Sequence, residues 1–435
     1  MAKLAIRGGA PLRTRPFPVY NTIGPEEKRA AVEVIESGVL SGYLGTWSPQ
    51  FYGGPRVQTL EREWAAYFGV RHAVSVNSAT SGLYAAIGAA GVGPGDEVIV
   101  TPYTMSASAT AALVYGAVPV FADIDPTTYC LDPARVEAAV STRTRAIVAV
   151  DLFGQPADMV ALKSIADRHR LVLIEDAAQA AGAMLADRHA GTLGHIGVYS
   201  LNYHKVIHSG EGGVVVTDDD RLAERLQLIR NHGEVVVREK GVEDLSNLVG
   251  FNYRMTEIEA AIALEQLRKL ESLVRARVEA ARELGRHLSG LAGLTSPAVR
   301  EKARHIYYAY AMQYDPEVAG VDRALFVEAL RAEGVPVGKG YVRPIYLEPL
   351  YQRRVAYGRD GFPFRFAGSD SAVRYERGLC PIAELMHFER LITTNICHAS
   401  IAARDLADWA AAAAKVLENA HELRNMEHPG CARSH

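Results

Sequence analysis

From about residue 71 to residue 220 the chain alternates short apolar runs with stretches of helical spacing, and this alternation limits the folds open to it more than any other feature. The runs are "HAVSVN", "DEVIVTP", "PVFADID", "TRAIVAVD", "LVLIED", "IGVYSL" and "GVVVTDD"; between them lie segments such as "SGLYAAIGAAG" and "MVALKSIADRHR", whose apolar residues follow a helical period. Strands separated by helices predict an α/β domain built on a mostly parallel sheet flanked by helices. Several runs end in polar residues: Asn77, Thr101, Asp151, Asp176 and Ser200. Ligands gather at the carboxyl ends of strands in such sheets, so these residues are candidates by position, although loop exposure accounts for any one of them equally well.

After residue 250 the alternation stops. "GFNYRMTEIEAAIALEQLRKLESLVRARVEAARELGRHLSGL" carries apolar residues at helical spacing from Ile258 onward and predicts one long helix, or two joined ones, bridging into a second domain. The remainder holds a strand-like "HIYYAYAMQYD", a helix "RALFVEALRAEGV" ending on Gly334, and a terminal helix "DLADWAAAAAKVLENAHEL". Gln352 to Tyr375, "QRRVAYGRDGFPFRFAGSDSAVRY", reads as a long surface loop, and "NMEHPGCARSH" as a frayed tail. The expected division is a large domain with an N-terminal arm over residues 1–265 and a smaller C-terminal α/β domain over 266–435. A chain of 435 residues, 49% apolar, has the material for two cores.

With 47 basic and 50 acidic residues, a net charge of -3 provides no positive field for nucleic acid or for an acidic membrane surface. The opening "MAKLAIRGGAPLRTRPFP" lacks an apolar signal core, and no run approaches the roughly 20 apolar residues of a membrane span. Cys130, Cys380, Cys397 and Cys431 are far apart and form no CxxC pair, which argues against a zinc ribbon or a disulfide framework. The expectation is a cytoplasmic protein with no metal site, no nucleic-acid partner and no membrane partner. Two motifs are set aside. "GVGPGD", Gly91 to Asp96, precedes a strand, whereas a dinucleotide loop follows one, so it reads as a turn. Cys397-His398 has no accompanying ligand cluster or base and reads as packing.

Three elements bear on chemistry. Asp176 ends the apolar strand of "LVLIEDAAQAAGA", where a carboxylate is costly unless it meets a cation or a strong donor. In "VNSATSGLYAAIGAAG" a helix beginning near Ser81 offers backbone N–H groups beside the hydroxyls of Thr80 and Ser81, a setting for a phosphate and equally for plain helix capping. Lys205, in "YSLNYHKVIHSGEGG", is either a misplaced charge or an amine whose lowered pKa lets it condense with an aldehyde. Pyridoxal 5'-phosphate asks for all three at once: a carboxylate for its ring nitrogen, donors for its phosphate and a lysine for its aldehyde.

The chain resembles the DegT/DnrJ/EryC1/StrS family of sugar aminotransferases, of the aspartate-aminotransferase fold (fold type I), through "NSATSGL", "GVGPGDEVIVTPYT", "PVFADID", "IEDAAQAAGA", "YHKVIHSGEGG", "RNHGE" and "GFNYRMTEIEAAI". The resemblance implies that Lys205 is the Schiff-base lysine and proton carrier, that Asp176 pairs with the pyridine nitrogen, and that Gln179 lies near the phenolic oxygen. It implies phosphate contacts from Thr80, Ser81 and Ser200, and from Asn252 across a homodimer interface. Where many relatives stack an aromatic residue on the cofactor ring, this chain reads "PYTMSASAT", which puts Met105 there, with Tyr103 nearby. His204 is a substrate contact or part of the wall; Tyr341 and Arg343, in "GKGYVRPIY", are substrate contacts or exposed loop side chains. The implied reaction is ping-pong transamination from an amino acid, L-glutamate by resemblance, to a keto sugar carried on a nucleotide, with pyridoxamine 5'-phosphate as the intervening cofactor form. A cyclitol ketone with L-glutamine as donor is the alternative, since "LAIRGGAPLRT" resembles such enzymes too. A sugar dehydratase would carry histidine in place of Lys205, and a non-catalytic cofactor-binding regulator would not need Asp176, Gln179 and Lys205 together.

Overall fold

The computed structural model describes residues 3–366 and 369–423. All seven apolar runs between 71 and 220 are strands: β1 (His72–Val76), β2 (Glu97–Val100), β3 (Val118–Phe121), β4 (Thr144–Val150), β5 (Val172–Asp176), β6 (Ile196–Ser200) and β7 (Gly213–Thr217). They form one sheet in the order β1-β7-β6-β5-β4-β2-β3. Pairs from β6 through β3 are parallel, and β7 runs antiparallel to both β1 and β6. Helices cover both faces, so interior strands are continuous Val, Ile and Ala rather than alternating, and β2 and β6 are buried along their whole length. The helix Ala79–Ala89 lies close on the sheet because of Gly82, where a Cβ would sit 2.9 Å from Val215 Cγ2 and 3.0 Å from Val198 Cγ1. That closeness brings the helix N-terminus down to the strand ends.

A single helix, Glu257–Leu288, carries the chain out of this domain. Its start is a capping box: Thr256 Oγ1 accepts from the Glu259 amide, and Glu259 Oε2 accepts from the Thr256 amide. Leu264, Leu267 and Leu270 pack with Trp64, Phe68 and Tyr199 at one end, while Leu284 and Leu288 enter a second core with Tyr310, Phe326, Leu330 and Trp409 at the other. The division expected at 265/266 thus falls within an unbroken helix. Leu4 also belongs to the second core, and Glu333 accepts from the amides of Ala5 and Leu12, so the start of the chain packs with its C-terminal part.

The second core sits against a small sheet of Leu294–Thr295, Tyr310–Tyr314, Leu391–Thr394 and Gly338–Lys339. "HIYYAYAMQYD" is therefore strand only from Tyr310; Tyr307 has a φ of 51° and breaks the extended run before it. Gln352–Tyr375 is not a surface loop throughout. Phe364 and Tyr375 are buried in the first core, and the Tyr375 hydroxyl donates to the Pro119 carbonyl over 2.8 Å, because their rings close the β3 edge against Phe121. Gly91–Asp96 is a turn, and Cys397 is buried in the second core. Cys431 and the tail lie outside the described residues. Among the described residues there is no cluster of metal-ligating side chains and no helix long and apolar enough to cross a membrane.

Candidate active site

At the carboxyl ends of β4, β5 and β6 lies a cavity of about 200 Å³, lined among others by Ser78, Thr80, Ser108, Asp176, Lys205 and Tyr341. Its position follows from the topology, since the ends of parallel strands and the N-termini of the following helices open on the same side.

Lys205 sits in the turn after β6. The Leu201 amide donates to the Gly212 carbonyl, and the Ser209 amide to the Leu201 carbonyl, which closes the loop around the lysine. Burial pushes its amine down to about 8, against the opposing pull of Asp176. "GEGG" is the turn that returns the chain to β7, with φ of 91° at Gly210 and 140° at Gly212. Gly213 adds a second requirement: a Cβ there would come within 2.7 Å of the Ala79 amide nitrogen, so this glycine admits the helix N-terminus to the site.

Asp176 is buried at the end of β5. Its Oδ2 accepts from Ser108 Oγ over 2.8 Å and its Oδ1 from the Ala178 amide over 3.2 Å, and no salt bridge reaches it among the described residues. Burial raises its carboxyl, with Ser108, the Ala178 amide and Lys205 pulling the other way. A buried carboxylate with two neutral donors and a face on the cavity is a seat for a protonated nitrogen.

At the opposite wall the helix starts at Ala79, two residues before the expected Ser81. Ser78 is its N-cap and accepts from the Ser81 amide over 3.1 Å. Ser81 Oγ donates to Asn77 Oδ1 over 2.6 Å, lies 2.9 Å from Ser78 Oγ and does not line the cavity, because it is turned about 100° round the helix from Thr80 and faces Asn77. Thr80 and Ser200 do line it, beside the free amides of the first helical turn.

Gln179 Oε1 accepts from the Phe153 amide and its Nε2 donates to the Tyr341 hydroxyl, each over 2.8 Å. The amide is thereby oriented with its donor side toward the cavity. Met105 lines the cavity and is 59% exposed; Tyr103 is fully buried behind, in edge contact with Tyr341. His204 lines the cavity, with its imidazole pKa lowered by burial and by Lys205.

Besides Ser81, two expected residues are not brought into this cavity. Arg343 is exposed, and Asn252 is exposed with its Oδ1 accepting from Arg254 Nε over 2.9 Å. Sequence reasoning missed Ser108, Asn202, Glu211 and Tyr308. Glu211 lies inside the "GEGG" turn and accepts from Asn202 Nδ2 over 2.8 Å, both at the cavity wall. Ser108 stands in a run of small residues, where nothing local marks one hydroxyl from the next. Lys205, Asp176 and a helix N-terminus around one cavity suit an aldehyde, a protonated ring nitrogen and a phosphate held together.

The family model described as the DegT/DnrJ/EryC1/StrS aminotransferase family matches residues 45–371. Among known proteins, the L-glutamine:2-deoxy-scyllo-inosose aminotransferase of Streptoalloteichus tenebrarius is 37% identical over 439 residues, 97% of this chain and 99% of that one. The spore coat polysaccharide biosynthesis protein SpsC of Bacillus subtilis is 36% identical over 78% of this chain and 86% of its own. Among solved structures, DesI in the presence of its TDP-sugar product is similar with a TM-score of 0.80 and 31% identity, covering 97% of both chains.

Proposed function

The chain belongs to the DegT/DnrJ/EryC1/StrS aminotransferase family, and from that premise we propose that it transfers an amino group from L-glutamine to the ketone of a cyclitol, with pyridoxal 5'-phosphate held in the Lys205 cavity. The acceptor class rests on one observation: the full-length similarity to an L-glutamine:2-deoxy-scyllo-inosose aminotransferase, which leaves neither chain with a large unmatched part. A second reading, a nucleotide-linked keto sugar with L-glutamate as donor, is favoured by the equally complete match to DesI in the presence of its TDP-sugar product.

When bound, pyridoxal phosphate supplies an electron sink that acidifies the C–H bond beside the donor's nitrogen. The residues do the rest. Lys205 would hold the cofactor through Nζ and, once freed by the donor amine, would be the group that carries a proton from the donor carbon. Asp176, steadied by Ser108 and the Ala178 amide, would pair with the ring nitrogen and keep it protonated. Thr80, Ser200 and the amides at the start of Ala79–Ala89 would hold the cofactor's phosphate, Gln179 would offer its remaining Nε2 hydrogen to the cofactor's hydroxyl, and Met105 would pack against the ring, all of them being cavity-lining residues. His204, Tyr341 and Arg343 are assigned to substrate, and Asn252 to the phosphate of a second copy in a cytoplasmic homodimer.

The test is a purified protein offered each ketone with each donor. A yellow protein that borohydride fixes at Lys205, and that aminates a cyclitol ketone with L-glutamine, supports the first reading. Turnover only with nucleotide-linked keto sugars moves the assignment to the second. A colourless protein that never takes up pyridoxal phosphate refutes both.

A further inference from the structure

The amine of Lys205 makes no hydrogen bond and no ion pair among the described residues; its nearest organised contact is aromatic. Nζ lies 4.9 Å from the centroid of the Tyr308 ring, within cation–π distance. Tyr308 comes from the far half of the sequence, outside every motif that marks the site, and its backbone is held at several points. The Ile306 amide donates to the Gly154 carbonyl over 2.9 Å. Gly154 has a φ of 91°, and a Cβ on it would stand 3.0 Å from the Tyr308 amide nitrogen and 2.7 Å from Ile306 Cγ1. Tyr307 takes a left-handed φ of 51°, its amide donates to His305 Nδ1 over 3.0 Å, and its ring stacks on His305 at 4.1 Å. Arg277 Nη1 donates to the Tyr307 carbonyl over 3.3 Å. A non-glycine residue in this conformation, fastened from three sides, indicates a backbone built to deliver the next side chain.

We propose that Tyr308 is a positioning residue for Lys205: the negative face of its ring stabilises the ammonium form of the released lysine and keeps Nζ at the cavity floor. The inference rests on the reading that Lys205 is the reacting amine. In proton transfer the Nζ lone pair accepts the donor's carbon-bound proton, becomes an ammonium, and gives the same proton up at the cofactor, so no other reagent is needed. Burial alone disfavours that ammonium. The groups facing it are Asp176 at the end of β5, His204 on its own turn, Glu211 on the returning turn, and Tyr308 and Tyr341 from the second half of the chain. Of these, Asp176 also favours the ammonium through its charge, but its oxygens are bonded to Ser108 and the Ala178 amide, and Glu211 is bonded to Asn202. Tyr308 supplies a stabilising face without a second charge.

The experiment measures the Lys205 pKa in cofactor-free protein, by pH-dependent labelling with a limiting amine reagent and mass spectrometry of the Lys205 peptide. Tyr308→Phe keeps the ring and is expected to leave the pKa within about 0.3 units of wild type, whereas Tyr308→Leu lowers it by about 0.5 to 1.5 units. Should the leucine variant fail to fold, 4-cyanophenylalanine at position 308 preserves the shape, drains the ring face and is expected to lower the pKa too. An unchanged pKa in the folded leucine variant or with the cyano ring overturns the proposal. So does a phenylalanine variant that falls as far as leucine, which would assign the effect to the hydroxyl. Wild-type protein that labels at Lys205 but never reacts there with pyridoxal phosphate would overturn the functional reading instead.

Discussion

Gln179 and Tyr341, 162 residues apart in the chain, share a 2.8 Å hydrogen bond in which the amide Nε2 donates to the phenolic oxygen. The other end of the amide is pinned by the Phe153 N–H, so Gln179 has one orientation and Tyr341 reads it. Tyr341→Phe keeps the ring and removes the hydroxyl, and with it the acceptor for Gln179 and any bond that the hydroxyl makes to substrate. Its kcat/KM is expected to fall about fivefold to tenfold, the worth of one hydrogen bond, with the melting temperature little changed. Steady-state kinetics at saturating cofactor check this; full activity would show that Gln179 is held well enough by Phe153 alone.

Lys205→Ala removes both the covalent hold on the cofactor and the proton carrier. Turnover is expected to drop by at least about 10³-fold. Borohydride should leave no cofactor mass on the tryptic peptide that carries the residue in wild type.

Asp176→Asn keeps side-chain atoms for Ser108 and the Ala178 amide to bond but withdraws the charge from a buried site. The expected loss in kcat is about 10²- to 10³-fold, because an amide cannot keep the ring nitrogen protonated. The variant should fold normally, since removing a buried carboxylate relieves desolvation. Retention of full rate would dismiss Asp176 as the nitrogen's partner.

Only the neutral lysine attacks an aldehyde, and burial sets the Lys205 amine at about 8. Cofactor uptake by the cofactor-free protein should therefore accelerate about tenfold per pH unit below that value and level off above it. Stopped-flow absorbance across the pH range gives the midpoint; a midpoint near 10.4, that of an ordinary lysine, would mean that the amine is not desolvated in the free protein.

Gly154→Ala places a Cβ at a φ of 91° and within 2.7 Å of Ile306 Cγ1. Strain and overpacking together should cost about 1 to 3 kcal/mol of stability, read from urea unfolding. A neutral substitution would show that the 305–308 segment shifts easily, and would weaken the case that it holds Tyr308 in place.

The parts of this protein legible in one dimension are those whose cause is local. Seven strands follow from apolar runs punctuated by helical spacing, and Asp176 and Lys205 announce themselves as charges placed where a buried strand ends or a glycine turn follows. Which of Ser78, Thr80 and Ser81 would face the cavity was not legible, because it depends on the helix starting at Ala79 and hence on its phase against the sheet. Ser108 reaches Asp176 across 68 positions, and Tyr308 reaches Lys205 from the second half of the chain. Tyr375, by contrast, looked like loop and became core by closing the β3 edge. Side-chain chemistry and backbone propensity belong to a residue and its neighbours, so the sequence by itself determined the sheet, the amine and the acid. The partners that orient them are set by how distant segments pack, and only the tertiary structure decided those.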